Sequence, residues 1–278
     1  MMDDNNFEHL TFQNLNCEIH YWYQKGSDNK WVIFLHGAGI DHEMFLEQYK
    51  IFDPTYHLIA WDARGHGLST LKEGQRFCFE DMVSDLKKLY KIYGIDEAVL
   101  IGQSMGGNLA QEIAYHYPEY ISKLILIDCT NNTGKLTRLE KSMLKCSNFL
   151  FHCYPWKQLI NQSSEACGTT DYVKEYVKVC FYRIEKETFI DIMMSLTGCL
   201  KEDKEFRFRH PVLLLCGEED KLGNIKKVMQ TWAKSDPNCT FHMIEDAGHN
   251  SNQDQPEVVN KLIIKFLADD SRSDIPFY

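Results

Sequence analysis

The chain has 278 residues, 44% of them hydrophobic and 25% charged, with 40 acidic against 30 basic side chains and a net charge of -10. This composition excludes a disordered tail, a fibre repeat and a scaffold too small to fold unaided; the acidic excess repels phosphate backbones, so no nucleic acid partner is expected. No stretch reaches the roughly 18 uninterrupted apolar residues of a membrane span, and the start, Met1 to His9, is acidic, so the expectation is a cytoplasmic chain without stable membrane insertion.

Leu10 to Gln13 and Glu18 to Tyr23 alternate polar with apolar around Asn14, Leu15 and Asn16, the pattern of a half-exposed antiparallel hairpin at a sheet edge. Short runs rich in Val, Ile and Leu then predict buried strands at Trp31 to Leu35, His57 to Trp61, Ala98 to Ile101, Leu124 to Ile127, Val212 to Leu215 and Phe241 to Ile244. Helical patterns lie between them at Met44 to Phe52, Glu80 to Tyr93, Gly106 to Tyr117, Asn224 to Lys234 and Pro256 to Leu267. The alternation predicts an α/β fold, a mostly parallel twisted sheet with helices on both faces. From Thr130 to Phe206 only helical stretches appear, such as Leu136 to Leu144, Tyr172 to Ile184 and Phe189 to Leu196, separated by Pro155 and Gly168. The chain therefore divides into a core of residues 1–129 and 207–278 and a helical insertion of residues 130–206 after the sixth strand. The tail Asp269 to Tyr278 is expected to fray.

Ten cysteines run from Cys17 to Cys239 without a Cys-x-x-Cys pair or a histidine spacing that closes a zinc tetrahedron, so they read as reduced thiols and no metal is expected. The chemistry points elsewhere. Gly102-Gln103-Ser104-Met105-Gly106 follows the run Val99 to Ile101 and opens a helix. A strand that turns sharply into a helix needs small residues beside a serine, because their missing side chains let the backbone fold into a strained elbow that exposes the hydroxyl. The helix aims its positive end at Ser104, and the Met105 N–H is free to donate to an oxyanion.

A serine hydroxyl needs a base within hydrogen-bond reach. Of eleven histidines, His249 stands apart: it lies in the turn Asp246-Ala247-Gly248-His249-Asn250, after the last strand and at the carboxyl edge where open parallel sheets bind ligands. The base needs a carboxylate to fix its tautomer, and Asp220, in Gly217-Glu218-Glu219-Asp220 after another strand, is best placed; Glu218, Glu219 and Asp128 are alternatives. The glycine loop His36-Gly37-Ala38-Gly39 offers the Ala38 N–H as a partner for that of Met105. Gly37-x-Gly39 with Asp62 on the next strand also mimics a dinucleotide site, but His42 stands where the third glycine belongs, and no cofactor is expected.

These segments, together with Asp62-Ala63-Arg64-Gly65-His66-Gly67-Leu68-Ser69, resemble the α/β-hydrolase superfamily nearly end to end, in its order of serine, acid and histidine. More narrowly, the chain resembles the capped serine hydrolases of the esterase, C–C hydrolase and proline iminopeptidase-like group. The resemblance implies a triad of Ser104, Asp220 and His249, an oxyanion hole of Ala38 and Met105, and a cap at Thr130 to Phe206. It makes the Arg64 and His66 stretch structural. The expected substrate is a small-molecule carboxylic ester. The same triad also serves C–C or peptide cleavage or elimination on a small metabolite, and outside enzymes the reading is a binding or receptor protein with negligible turnover. In the cap, Phe149, Phe151, Tyr154, Trp156, Phe181 and Tyr182 are candidates for an acyl pocket, and Lys135, Arg138, Lys141 and Lys145 read as a solvated helix face.

Overall fold

The computed structural model describes residues 7–269, with the side chains of residues 138–141 and 143–145 outside that description. Among the described residues the strands are β1 (Phe7–Asn14), β2 (Cys17–Gln24), β3 (Lys30–Leu35), β4 (Tyr56–Trp61), β5 (Ala98–Gln103), β6 (Ile121–Ile127), β7 (Val212–Gly217) and β8 (Cys239–Ile244). The helices are α1 (Leu46–Tyr49), α2 (Phe79–Tyr93), α3 (Met105–His116), α4 (Arg138–Cys153), α5 (Trp156–Cys167), α6 (Asp171–Tyr182), α7 (Lys186–Leu196), α8 (Ile225–Ser235), α9 (Ser251–Asp254) and α10 (Pro256–Ala268).

The strands form one sheet in the order β1-β2-β4-β3-β5-β6-β7-β8. From β4 to β8 every pairing is parallel, while β2 runs antiparallel to both β1 and β4, so the hairpin is the edge the sequence predicts. Its two-residue turn holds Leu15 at φ 45 and Asn16 at φ 63, the left-handed pair that joins right-twisted strands.

Both faces of the parallel strands are covered, which is why they read as unbroken apolar runs. Successive residues alternate between two clusters. Ile33, Leu35, Leu100, Leu124, Leu126 and Leu214 pack with residues of α2, α3 and α8 such as Leu86, Ile113 and Trp232. Val32, Phe34, Ile101, Ile125, Ile127 and Leu213 pack on the other face with Tyr49 of α1 and Val259 and Ile263 of α10.

Four helices, α4 to α7, fill the interval between β6 and β7, and α6 buries Val173, Val177 and Phe181 in the second cluster. Two elements differ from the sequence expectation. The helix expected over Met44 to Phe52 is a 3-10 turn, His42–Phe45, followed by the single turn α1. The apolar spacing there reflects Met44, Phe45, Tyr49 and Phe52 packing into the second cluster rather than a long amphipathic face. Conversely, α5 lies where the sequence shows only a break at Pro155. The tail beyond Asp269 and the side chains of Arg138, Lys141 and Lys145 lie outside the described residues; Lys135 is exposed.

The Arg64 stretch ties core elements together, as expected. Arg64 is 2% exposed and donates from Nε and Nη2 to the two oxygens of Asp85 on α2, both at 2.7 Å, and from Nη1 to Asp81 at 2.8 Å. Asn14 at the end of β1 donates to the same Asp85 carboxylate at 2.8 Å. Such a planar two-point pair fixes orientation, and removing one partner leaves a buried charge alone. Arg64→Ala is expected to cost about 3–5 kcal/mol in urea-unfolding free energy; a loss below ~1 kcal/mol would show that the pair adds no stability.

Candidate active site

β5 runs directly into Ser104, whose backbone sits at φ 49 and ψ -114 before α3 begins at Met105. A non-glycine residue there is strained, and the neighbours hold it in place. The Ser104 N–H donates to the Ile127 carbonyl at 2.9 Å, and the Ser104 carbonyl accepts from Asn108 N–H at 3.0 Å. A Cβ on Gly102 would strike the backbone of Gly106 and Gly107, and one on Gly106 would strike the Leu35 carbonyl at the end of β3. Both glycines are therefore required by close backbone approach, as the elbow pattern predicts. Met105 occupies the first position of α3, so its N–H has no acceptor within the helix.

The loop after β3 is set by a histidine that works as a fastener. His36 Nδ1 donates to the Gly37 carbonyl at 2.8 Å and its Nε2 accepts from Ala63 N–H at 2.9 Å, which fixes a neutral ring. Burial pushes its pKa down to about 4. His66 is held likewise, donating from Nδ1 to the Arg64 carbonyl at 2.9 Å, with burial pushing it down to about 3. Neither titrates near neutrality as a base must. Asp62 engages His42 Nδ1 at 2.7 Å and accepts from Leu68 N–H at 2.7 Å, so both oxygens serve the fold rather than a ribose.

His249 is 5% exposed, and its Nδ1 donates to Asp220 Oδ2 at 3.0 Å, which leaves Nε2 as the acceptor of the ring. The other Asp220 oxygen accepts from Leu222 N–H at 2.8 Å. Glu218 and Glu219 are exposed, and among the described residues the acid bonded to His249 is Asp220. Asp128, directly after β6, is fully buried at φ 46; its Oδ1 accepts from Gly217 N–H at 2.7 Å and its Oδ2 from Ser251 N–H at 3.0 Å.

Asp128, Cys216 and Asp220 bring ligand-type atoms within 4.8 Å of one another. Their donors are already engaged, and burial raises the Cys216 thiol far from the thiolate that binds metals. Burial alone lowers the His249 pKa, but the Asp220 and Asp128 charges outweigh it and raise the net value. Burial, reinforced by the Asp220 charge, raises that of Asp128.

Three residues that sequence reasoning passed over complete the arrangement. Gln103 donates from Nε2 to the His249 carbonyl at 2.8 Å, so the histidine loop is fastened to the residue preceding Ser104. Asp41 and Asp254 bond to residues along α6 and at its ends. No periodicity or motif marks these positions; only partners distant in the sequence give them meaning. Above the Gly39 loop, the Phe181 ring sits where a Gly39 Cβ would be, with Phe189 at 5.2 Å and Trp156 at 5.3 Å from Phe189. Phe149 and Tyr182, expected as pocket candidates, are 72% and 51% exposed.

The elbow, the paired histidine and acid, and the eight-stranded sheet define an enzyme of the α/β-hydrolase fold, a hydrolase. The sequence matches the family described as serine aminopeptidase, S33, over residues 26–256, and the chain belongs to it. Epoxide hydrolase 4 of Homo sapiens is 28% identical over 267 residues, covering 87% of this chain and 73% of that protein. A putative 2-succinyl-6-hydroxy-2,4-cyclohexadiene-1-carboxylate synthase of Bacillus subtilis is 29% identical over 256 residues, 85% and 90% of the two chains. Among solved structures, an esterase from Thermogutta terrifontis superposes at a TM-score of 0.76 with 22% identity, covering 95% of this chain and 98% of that one. A hydrolase from Pseudomonas aeruginosa superposes at 0.80 with 16% identity, covering 96% and 100%. Among the described residues no helix is long and apolar enough to cross a membrane.

Proposed function

We propose that the chain hydrolyses a small-molecule carboxylic ester with Ser104 as nucleophile, His249 as base and Asp220 as the group that orients it. The observation that carries this reading is the 3.0 Å His249–Asp220 bond on a loop fastened through Gln103 to the strained Ser104 turn. His249 Nε2 takes the Ser104 proton as the oxygen adds to the carbonyl carbon, and the Ala38 and Met105 N–H groups receive the negative charge. Collapse expels the alcohol, protonated by the imidazolium, and leaves an acyl-serine. Water, deprotonated by the same nitrogen, then releases the acid. Residues 130–206 act as a cap that shields these steps from bulk water, with Phe181 as part of its lining.

Relatives named as epoxide hydrolases raise a different substrate, and elementary chemistry decides against it here. Serine oxygen opening an epoxide forms an alkyl ether, which has no carbonyl for water to attack, so the enzyme would stop after one event. An ester gives an acyl-serine that water can clear. The family description favours one further reading, the same steps on an amide with an amine leaving group.

Labelling with a fluorophosphonate and mapping the adduct tests the site, followed by panels of p-nitrophenyl esters, aminoacyl anilides and styrene oxide. We expect the adduct on Ser104, many turnovers on short esters and none on the epoxide. An adduct on another residue, or sustained epoxide turnover, would overturn the reading.

A further inference from the structure

Asp254 is 7% exposed and lies at the end of α9, five residues after His249. Its Oδ2 accepts from the N–H groups of Gly248 at 2.8 Å and Thr169 at 2.9 Å; its Oδ1 accepts from Thr170 N–H at 3.0 Å and Thr170 Oγ1 at 2.9 Å. Around this carboxylate the α5–α6 turn is sewn to the histidine loop by two more bonds, Asn250 N–H to the Cys167 carbonyl at 2.7 Å and Thr169 Oγ1 to the Asp246 carbonyl at 2.8 Å. Thr170 is also the N-cap of α6.

The other end of α6 is gripped in the same way. Asp41 is 3% exposed and follows the Ala38–Gly39 loop by two residues. Its Oδ1 accepts from Tyr176 Oη at 2.8 Å, and its Oδ2 from Arg183 Nη1 at 3.2 Å and Cys180 Sγ at 3.5 Å. The apolar stripe of α6, Val173, Val177 and Phe181, is buried between these two grips.

We infer that α6 is a strap that sets the spacing between the histidine loop and the oxyanion loop, with Asp254 and Asp41 as the positioning residues at its two ends. The inference rests on the function proposed above. A buried carboxylate receiving several N–H and O–H donors is a stiff joint, since freeing any donor leaves it buried without an acceptor. Two such joints on one helix transmit a shift at either loop to the other. Neither residue touches substrate; they act by holding His249 Nε2 and the Ala38 N–H in register, where a misplacement of about 1 Å costs on the order of 10²-fold in rate.

The test is steady-state hydrolysis of a short activated ester by the full chain. Asp254→Asn must turn an NH2 toward backbone donors and is expected to lower kcat about 10- to 100-fold with KM within about twofold, because the strap orders reacting groups rather than binding the acyl chain. Where that variant does not fold, Thr170→Val removes one bond to Asp254 together with the cap bond from Val173 N–H and should lower kcat several-fold, with Thr170→Ser restoring both. The decisive measurement is the cycle of Thr170→Val, Tyr176→Phe and the double variant. A strap already loosened at one end loses less when loosened at the other, so the double variant should fall short of the summed log effects and lie near the slower single one.

Log effects on kcat that simply add, wild-type kcat in both Asp254→Asn and Thr170→Val, or losses confined to KM would overturn the strap. All of these leave fluorophosphonate labelling of wild-type Ser104 intact. Loss of that labelling would instead strike the proposed function.

Discussion

Replacing Ser104 by alanine is expected to cut kcat on an activated ester by about 10⁶-fold while urea unfolding stays within ~1 kcal/mol of wild type. The size of the first effect follows from the proposed mechanism. Without the hydroxyl there is no acyl-enzyme, and His249 and the oxyanion donors can only assist direct attack by water. The smallness of the second follows from what holds the elbow. Its φ of 49 is imposed by the Gly102–Gly106 and Gly106–Leu35 backbone approaches and by the Ser104 N–H bond to Ile127, none of which uses the side-chain oxygen. Progress curves with active-site titration of the wild type measure the loss, and circular dichroism in urea measures the stability. Residual turnover above about 1% in the folded variant would remove Ser104 from the mechanism.

How far the site could be read from the sequence depends on what kind of constraint each residue obeys. Gly102 and Gly106 are legible because a backbone collision dictates the residue type, whatever the rest of the chain does. His249 is legible because a histidine in a glycine turn at the end of a strand has no packing task. Asp220 and Asp128 are harder to separate: β6 and β7 are neighbours, so their ends deliver two acids to nearly the same spot, and only coordinates reveal that Nδ1 of His249 bonds to Asp220. Gln103, Asp41 and Asp254 are illegible because their hydrogen-bond partners come from segments as much as 146 residues distant.

The fold follows the same division. Unbroken apolar runs announce the parallel strands and polar–apolar alternation the hairpin, whereas α5 carries Gln158, Asn161, Gln162, Ser163 and Ser164 and owes its helicity to the packing of Ile160 and Cys167.

The two acids beside His249 should separate by experiment, and in opposite senses for activity and stability. Asp220→Asn is expected to lower kcat about 10⁴-fold, because the amide cannot hold the Nδ1–H tautomer or stabilise the imidazolium. Asp128→Asn should cost no more than about tenfold in kcat, since Asp128 reaches His249 through its charge rather than a bond. It should also destabilise the fold by about 1–3 kcal/mol near neutral pH, because Gly217 N–H and Ser251 N–H each donate to one of its oxygens and an amide offers only one acceptor.

The pH profiles carry the signs. The raised pKa of His249 puts the acidic limb of kcat/KM above the ordinary histidine value, and removing the Asp128 charge should move that limb to lower pH. For stability, the protonated His249 beside Asp220 contributes fully below the unfolded histidine pKa and is lost as pH rises through its folded value. Asp128, raised by burial, keeps a proton in the folded chain that the unfolded chain releases at lower pH, so it too makes stability fall as pH climbs from about 4 toward neutrality. Activity thus rises through the window in which stability declines, and Asp128→Asn should flatten the stability slope and move the activity limb to lower pH. If Asp128→Asn proves as inactive as Asp220→Asn is expected to be, and Asp220→Asn turns over freely, the orienting acid is the one after β6.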